Sequence, residues 1–176
     1  MPAQALIEEP TLYRLPVTGM TVARVSADAQ LRLELSDEAH KWTARIMIGG
    51  GWSCGPPGSL VTCDLDSGDR GSAGIALNLF YAEVTEAIAH KDGRLEVHFR
   101  GGRPKFPVDG WILDVPMDAD YEPWEVDLPD LGKIVSAPGG ELYVFNGKPT
   151  GTVGDLYRSG ALDPRIFKME PPDHNR

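Results

Sequence analysis

Cys54 is the first residue to weigh as a catalyst. It stands in Trp52-Ser53-Cys54-Gly55, inside the glycine-rich stretch 49–58. A reactive thiol needs a depressed pKa, supplied by a neighbouring cation or a helix start. Neither flanks Cys54, so an inert thiol is the simpler reading, and a small hydrolase using Cys54 or nearby aspartates stays as the enzymatic alternative. No Gly-x-Ser-x-Gly elbow frames a serine nucleophile. Glu122 and Glu125 could share acid–base work, but on a strand their spacing places them on opposite faces. Asp64-x-Asp66-x-Gly68-Asp69 has the alternating carboxylates of a calcium loop. Its sixth and twelfth places are Asp69 and Ile75, where the calcium-binding hand requires Gly and Glu. His40, His90, His98 and His174 are scattered without zinc-ligand spacing. Gly132-Lys133 and Gly147-Lys148 run into Ile134 and Pro149 instead of the Ser or Thr of a phosphate loop. These patterns assign no catalytic residue, no cofactor and no metal.

Recognition chemistry fares better. From Asp109 to Asp130 the chain carries eight acids (Asp109, Asp114, Asp118, Asp120, Glu122, Glu125, Asp127 and Asp130) and no Lys or Arg. Trp111, Tyr121 and Trp124 are interleaved with them. The stretch reads either as a solvated sheet edge kept from aggregating by its charge or as an acidic, aromatic docking surface for a basic protein partner. The second candidate is the Gly49–Gly58 segment, read as a long exposed loop whose Trp52 could anchor in a partner's cleft. The partner-binding candidates are therefore Gly50, Gly51, Trp52 and Ser53 from the loop, with Asp118, Asp120, Tyr121 and Asp127 from the acidic stretch.

Composition narrows the classes. A net charge of −9 over 176 residues disfavours nucleic acid, which is bound mainly through Lys and Arg. No basic cluster followed by an apolar run opens the chain, and no apolar run is long enough to span a bilayer, so the expectation is a cytoplasmic chain with no membrane partner. In that compartment Cys54 and Cys63 are expected as free thiols. Twenty Gly and 15 Pro are too many breakers for a helix bundle.

The elements that must carry these residues are mostly strands. Thr21–Val25, Leu31–Leu35 and Trp42–Ile48 form one run of extended segments. Val84–Ile88, Arg94–Phe99 and Lys105–Val108 form a second of similar design, giving a weak internal repeat over 21–48 and 84–108. Leu31, Leu33 and Leu35, and likewise Leu95, Val97 and Phe99, alternate with polar residues as half-buried strands do. Asp92-Gly93 and Pro138-Gly139 supply turn chemistry. The pattern predicts a mainly β fold with minor α: two antiparallel meanders forming a sandwich-like or curved sheet, with short helices near 72–81 and after 152. Residues 1–15 read as an N-terminal extension, 16–145 as the domain, and 146–176 as a C-terminal extension.

Tyr121-Glu122-Pro123-Trp124, followed by Pro138-Gly139-Gly140-Glu141-Leu142, resembles an uncharacterised actinobacterial family of unknown function, over about residues 16–145. That resemblance implies a β-rich plan and transfers no catalytic residue. In size, acidity and poverty of motifs the chain is also similar to immunity proteins, among them the immunity factor of tuberculosis necrotizing toxin, a toxin that hydrolyses NAD. This second resemblance implies a proteinaceous inhibitor that covers a toxin's active site. The remaining alternative is a small-molecule-binding β-domain.

Overall fold

Leu31, Leu33 and Leu35 are fully buried, as are Leu95, Val97 and Phe99, so the alternation that marked both runs as strands also marks the inner face of one sheet. The computed structural model describes residues 5–38, 43–63, 74–128 and 131–146. The first run becomes β3 (Thr21–Ala27), β4 (Leu31–Ser36) and β5 (Thr43–Ile48), a meander paired in register from Ala27↔Leu31 and Leu31↔Ile48 outward. The second becomes β8 (Ala82–His90), β9 (Leu95–Arg103) and β11 (Trp111–Val115). Its third strand is thus Trp111–Val115, not the expected segment at 105–108. There Phe106–Pro107 (β10) only folds back on the end of β9, and Val108 turns into the core.

Each meander is extended by a hairpin that follows the other in sequence. β6 (Trp52–Gly55) and β7 (Val61–Cys63) come after the first meander but pair onto β11 of the second. β12 (Trp124–Leu128) and β13 (Gly132–Ser136) come after the second but pair onto β5 of the first, with β14 (Leu142–Asn146) beyond them. The result is one open antiparallel sheet in the order β14-β13-β12-β5-β4-β3-β8-β9-β11-β6-β7. The expected Gly49–Gly58 loop is therefore interrupted by a strand: Gly49–Gly51 link β5 to β6, residues 56–60 link β6 to β7, and Trp52 enters β6 as core.

The N-terminal stretch is not an appendage. β1 (Ile7–Glu8) pairs with β2 (Leu12–Arg14), β2 pairs with β8, and Leu15 is buried. The helix expected at 72–81 is a six-residue 3-10 turn, Gly74–Leu79, which buries Ala76 and Leu79. The helical turns expected after 152, together with Asp64, Asp66, Gly68, Asp69, Ser72, His40, Trp42, Asp130 and His174, lie outside the described residues.

The sheet curls until its far parts meet, which closes the core. The Trp124 indole N–H, on β12, donates to the Gly93 carbonyl in the β8–β9 turn at 2.7 Å, and the Ser136 hydroxyl donates to the same oxygen at 3.1 Å. The β8–β9 and β13–β14 turns press backbone against backbone. A Cβ on Gly93 would lie 2.4 Å from the Gly140 Cα, and one on Gly140 would lie 2.2 Å from the Asp92 carbonyl oxygen. Both positions also have positive φ, 91° each, so glycine is required twice over. Trp52, Trp124 and Phe99 are the largest side chains enclosed.

Candidate functional site

The register of the first meander decides what surrounds the glycine link. Because Leu31 opposes Ile48 and Trp124 also opposes Ile48, Gln30, Gly49 and Pro123 arrive side by side one step further out. The amides of Gly49 and Gly50 both point at the Pro123 carbonyl, at 3.0 and 3.3 Å. The preceding segment is held as well. The Asp118 carboxylate accepts the amides of Asp120 at 2.8 Å and Tyr121 at 3.1 Å, and the Asp118 carbonyl accepts the Gly139 amide at 2.8 Å.

Between the glycine link, the end of β7 and this segment lies a groove of about 600 Å³, lined by Gln30, Gly49–Gly51, Thr62, Cys63, Asp118, Tyr121 and Glu122. A side pocket of about 150 Å³ shares Gln30, Gly49 and Glu122 with it and adds Met47, Trp124 and Glu125. Among the described residues, acids and neutral groups line both and no Lys or Arg does. Partial desolvation in the groove, then the charge of Glu125, raise the Glu122 carboxyl above its ordinary value, against a smaller opposing pull from Lys133. Among the described residues no ion pair holds the Glu122 carboxylate, and Lys133 acts on it only as the weakest of the three influences. Glu122 lies in the loop before β12, so the strand argument that set it opposite Glu125 fails, and the two carboxylates meet at one pocket.

The two sequence candidates are thus one site in part. Gly50, Gly51, Asp118 and Tyr121 line the groove, and Tyr121 is 70% exposed at its rim. Asp120 is exposed beside it without lining it. Three candidates fall elsewhere. Trp52 is 1% exposed, packed inside with its indole N–H unpartnered among the described residues, so it is no free anchor. Ser53 does not line the groove itself; its hydroxyl lies 3.0 Å from that of Thr62, which does. Asp127 sits on the outer face of β12, opposite Lys133 and Arg45, with the Lys133 ammonium at 3.3 Å.

Cys54 agrees with the inert-thiol reading, although it is buried where an exposed loop position was expected. It is fully buried and unoxidised, and burial followed by the proximity of Cys63 pushes its pKa up to about 12. A thiol in that state holds almost no thiolate near neutrality. Gln30, Met47, Thr62 and Cys63 were not singled out from sequence, although Gln30 was within reach: pairing Leu31 with Ile48 sets Gln30 against Gly49. Among the described residues no group of His, Cys, Asp and Glu could hold a metal ion, and no helix is long and apolar enough to cross a membrane.

No curated protein and no solved structure matches the chain significantly. Residues 13–146, which span every described strand from β3 to β14 and the groove between them, match a family of unknown function, DUF6188. The match takes in Tyr13 and Arg14 of β2 as well, in keeping with that strand's place in the sheet. The chain belongs to the DUF6188 family.

Proposed function

We propose that this chain is a cytoplasmic, protein-binding immunity factor whose groove seats a basic segment of a toxin enzyme and so covers that enzyme's active site. One observation carries the reading. A groove of about 600 Å³ joins Asp118 and Glu122, an exposed Tyr121 and three backbone glycines, with no cation in its lining among the described residues. Acids of this kind steer a basic partner during encounter, and an exposed aromatic supplies contact area once it has docked. The side pocket, with Glu122, Glu125 and the aliphatic stem of Met47, suits the head of a Lys or Arg from the seated segment. Occlusion needs no chemistry from the chain itself. Burial of Cys54 speaks against the thiol form of the enzymatic alternative, whose nearby aspartates, Asp64, Asp66 and Asp69, lie outside the described residues. The small-molecule alternative retains one observation, the side pocket, and would be favoured if free arginine alone saturated it.

The test uses two probes. An extended peptide rich in Lys and Arg should bind the chain in calorimetry, whereas its Asp- and Glu-substituted counterpart should not. An NAD-hydrolysing toxin of the tuberculosis necrotizing type should lose activity as the chain is added, levelling at one chain per toxin. Full toxin activity in excess chain would remove the inhibitor reading, and absence of peptide binding would remove the groove.

A further inference from the structure

We propose that the groove also accepts a second copy of this chain, which enters by the basic, aromatic tip of the β9–β10 hairpin and builds head-to-tail assemblies. The proposal rests on reading the groove as a receptor for basic segments. The tip is Arg103-Pro104-Lys105-Phe106, with Phe106 paired back to Arg103. Phe106 is 55% exposed, and beside it Leu77 is 53% and Tyr81 59% exposed. The hairpin is set against the 3-10 turn, because a Cβ on Gly102 would lie 3.3 Å from the Phe106 carbonyl oxygen and 3.7 Å from that of Asn78. The Phe80 and Tyr81 rings lie 4.0 Å apart, and the Arg103 guanidinium stands 4.8 Å from the Phe80 centroid. Tyr81 is held at φ 70°, a conformation that non-glycine residues rarely adopt and that persists where the surroundings enforce it.

Charge singles out this patch. In a chain of net charge −9, Arg103 and Lys105 have no carboxylate partner among the described residues. The nearby Arg100 is paired with Glu83 at 2.5 Å, and Asp109 is occupied by the Gly101 amide at 2.7 Å. A basic aromatic tip and an acidic groove on one molecule are complementary surfaces. They cannot meet within one chain. The start of β9 lies at the Gly93–Gly140 contact, where a Cβ on Gly140 would come 2.9 Å from Met117, next to the groove's Asp118. Arg103 lies at the opposite end of β9, beyond a bend at Gly101 and Gly102, whose φ angles are 74° and 92°. Tip and groove are different surfaces, so their pairing is heterologous: it repeats from chain to chain, or closes as a ring if the rotation allows.

Sedimentation equilibrium of the full chain tests this. Association should grow with protein concentration and weaken roughly tenfold from about 50 mM to about 500 mM salt, as contacts between exposed charges do. Phe106→Glu or Lys105→Glu at the tip, and Glu122→Lys in the groove, should each leave folded monomers, with melting temperatures serving as the control. An equimolar mixture of a tip variant and the groove variant should form a dimer that grows no further, because one intact tip and one intact groove remain. A monomeric wild-type chain at every concentration would overturn the proposal. So would a dimer that survives each single variant, or a mixture that stays monomeric. A peptide of residues 100–107 separates the two readings. If it binds a monomeric chain, self-association fails and the groove stands; if neither it nor the Lys- and Arg-rich peptide binds, both fall.

Discussion

Glu122 and Asp127 are five residues apart in the same acidic run, yet they live in opposite electrostatic worlds. Asp127 belongs to a ladder across the outer face of the sheet, Arg24-Glu34-Arg45-Asp127-Lys133, in which charges alternate from one strand to the next. Glu125, one pleat away, takes the Lys133 ammonium at 2.8 Å. Burial alone would lower the Lys133 pKa, but Glu125 and Asp127 outweigh it and the net shift is upward. On the other half of the sheet, Arg94 reaches Asp114 at 2.6 Å and Arg100 reaches Glu83 at 2.5 Å in the same manner. Glu122, by contrast, lies in the loop before β12, and among the described residues no cation forms an ion pair with it; Lys133 acts on it only weakly. An acidic run thus divides into charges the fold has already answered and charges that, under the proposed function, a partner would answer.

The comparison can be broken first at the core that holds both regions. Trp52→Ala removes one of the largest enclosed side chains, and a loss of about 3 to 5 kcal/mol is expected in denaturant unfolding. If Trp52 were instead the exposed anchor that its glycine-rich setting suggested, stability would hold and binding would fall. A smaller effect is expected at Lys133, whose removal leaves Glu125 and Asp127 facing one another. Lys133→Met should cost about 1 to 3 kcal/mol while leaving peptide affinity within about twofold of wild type.

The smallest stability effect has the opposite sign. The folded-state pKa of Glu122 lies above its unfolded value, so its contribution to stability is present at low pH and is lost as pH rises through the folded value. Glu122→Gln should therefore stabilise the chain at neutral pH by under about 1 kcal/mol, a gain that disappears in acid, where the wild-type carboxyl is protonated. Chemical unfolding at a series of pH values reads this directly. A variant less stable than wild type at neutral pH would mean that Glu122 has a partner cation.

Much of the sheet was legible because period-two alternation is a local signal. Leu31, Leu33, Leu35, Leu95, Val97 and Phe99 identified the inner faces of two strands, β4 and β9, without any knowledge of pairing. What stayed hidden was non-local. Nothing in Trp52-Ser53-Cys54 says that β6 will cross to β11, and that pairing alone turns an apparent loop into core. The exchange of hairpins between the meanders also brings Gly49–Gly51 and Asp118–Glu122 together, so the groove is visible only after topology is known. The resemblance to a family of unknown function was carried by Tyr121-Glu122-Pro123-Trp124 and Pro138-Gly139-Gly140. Its residues now have physical roles: Trp124 and Gly140 fasten the curled sheet, and Tyr121 and Glu122 line the groove.

The central claim is that uncompensated loop acids, and not the acidic run as a whole, receive a basic partner. Titration calorimetry of the Lys- and Arg-rich peptide against wild type, Glu122→Gln and Asp127→Asn tests it most directly. Glu122→Gln should weaken binding about tenfold or more, as the loss of a charge-assisted contact does. Wild-type affinity should rise as pH increases through the raised Glu122 pKa, and Asp127→Asn should bind as wild type does. Equal weakening by both substitutions, or a wild-type affinity that does not change with pH, would contradict the account.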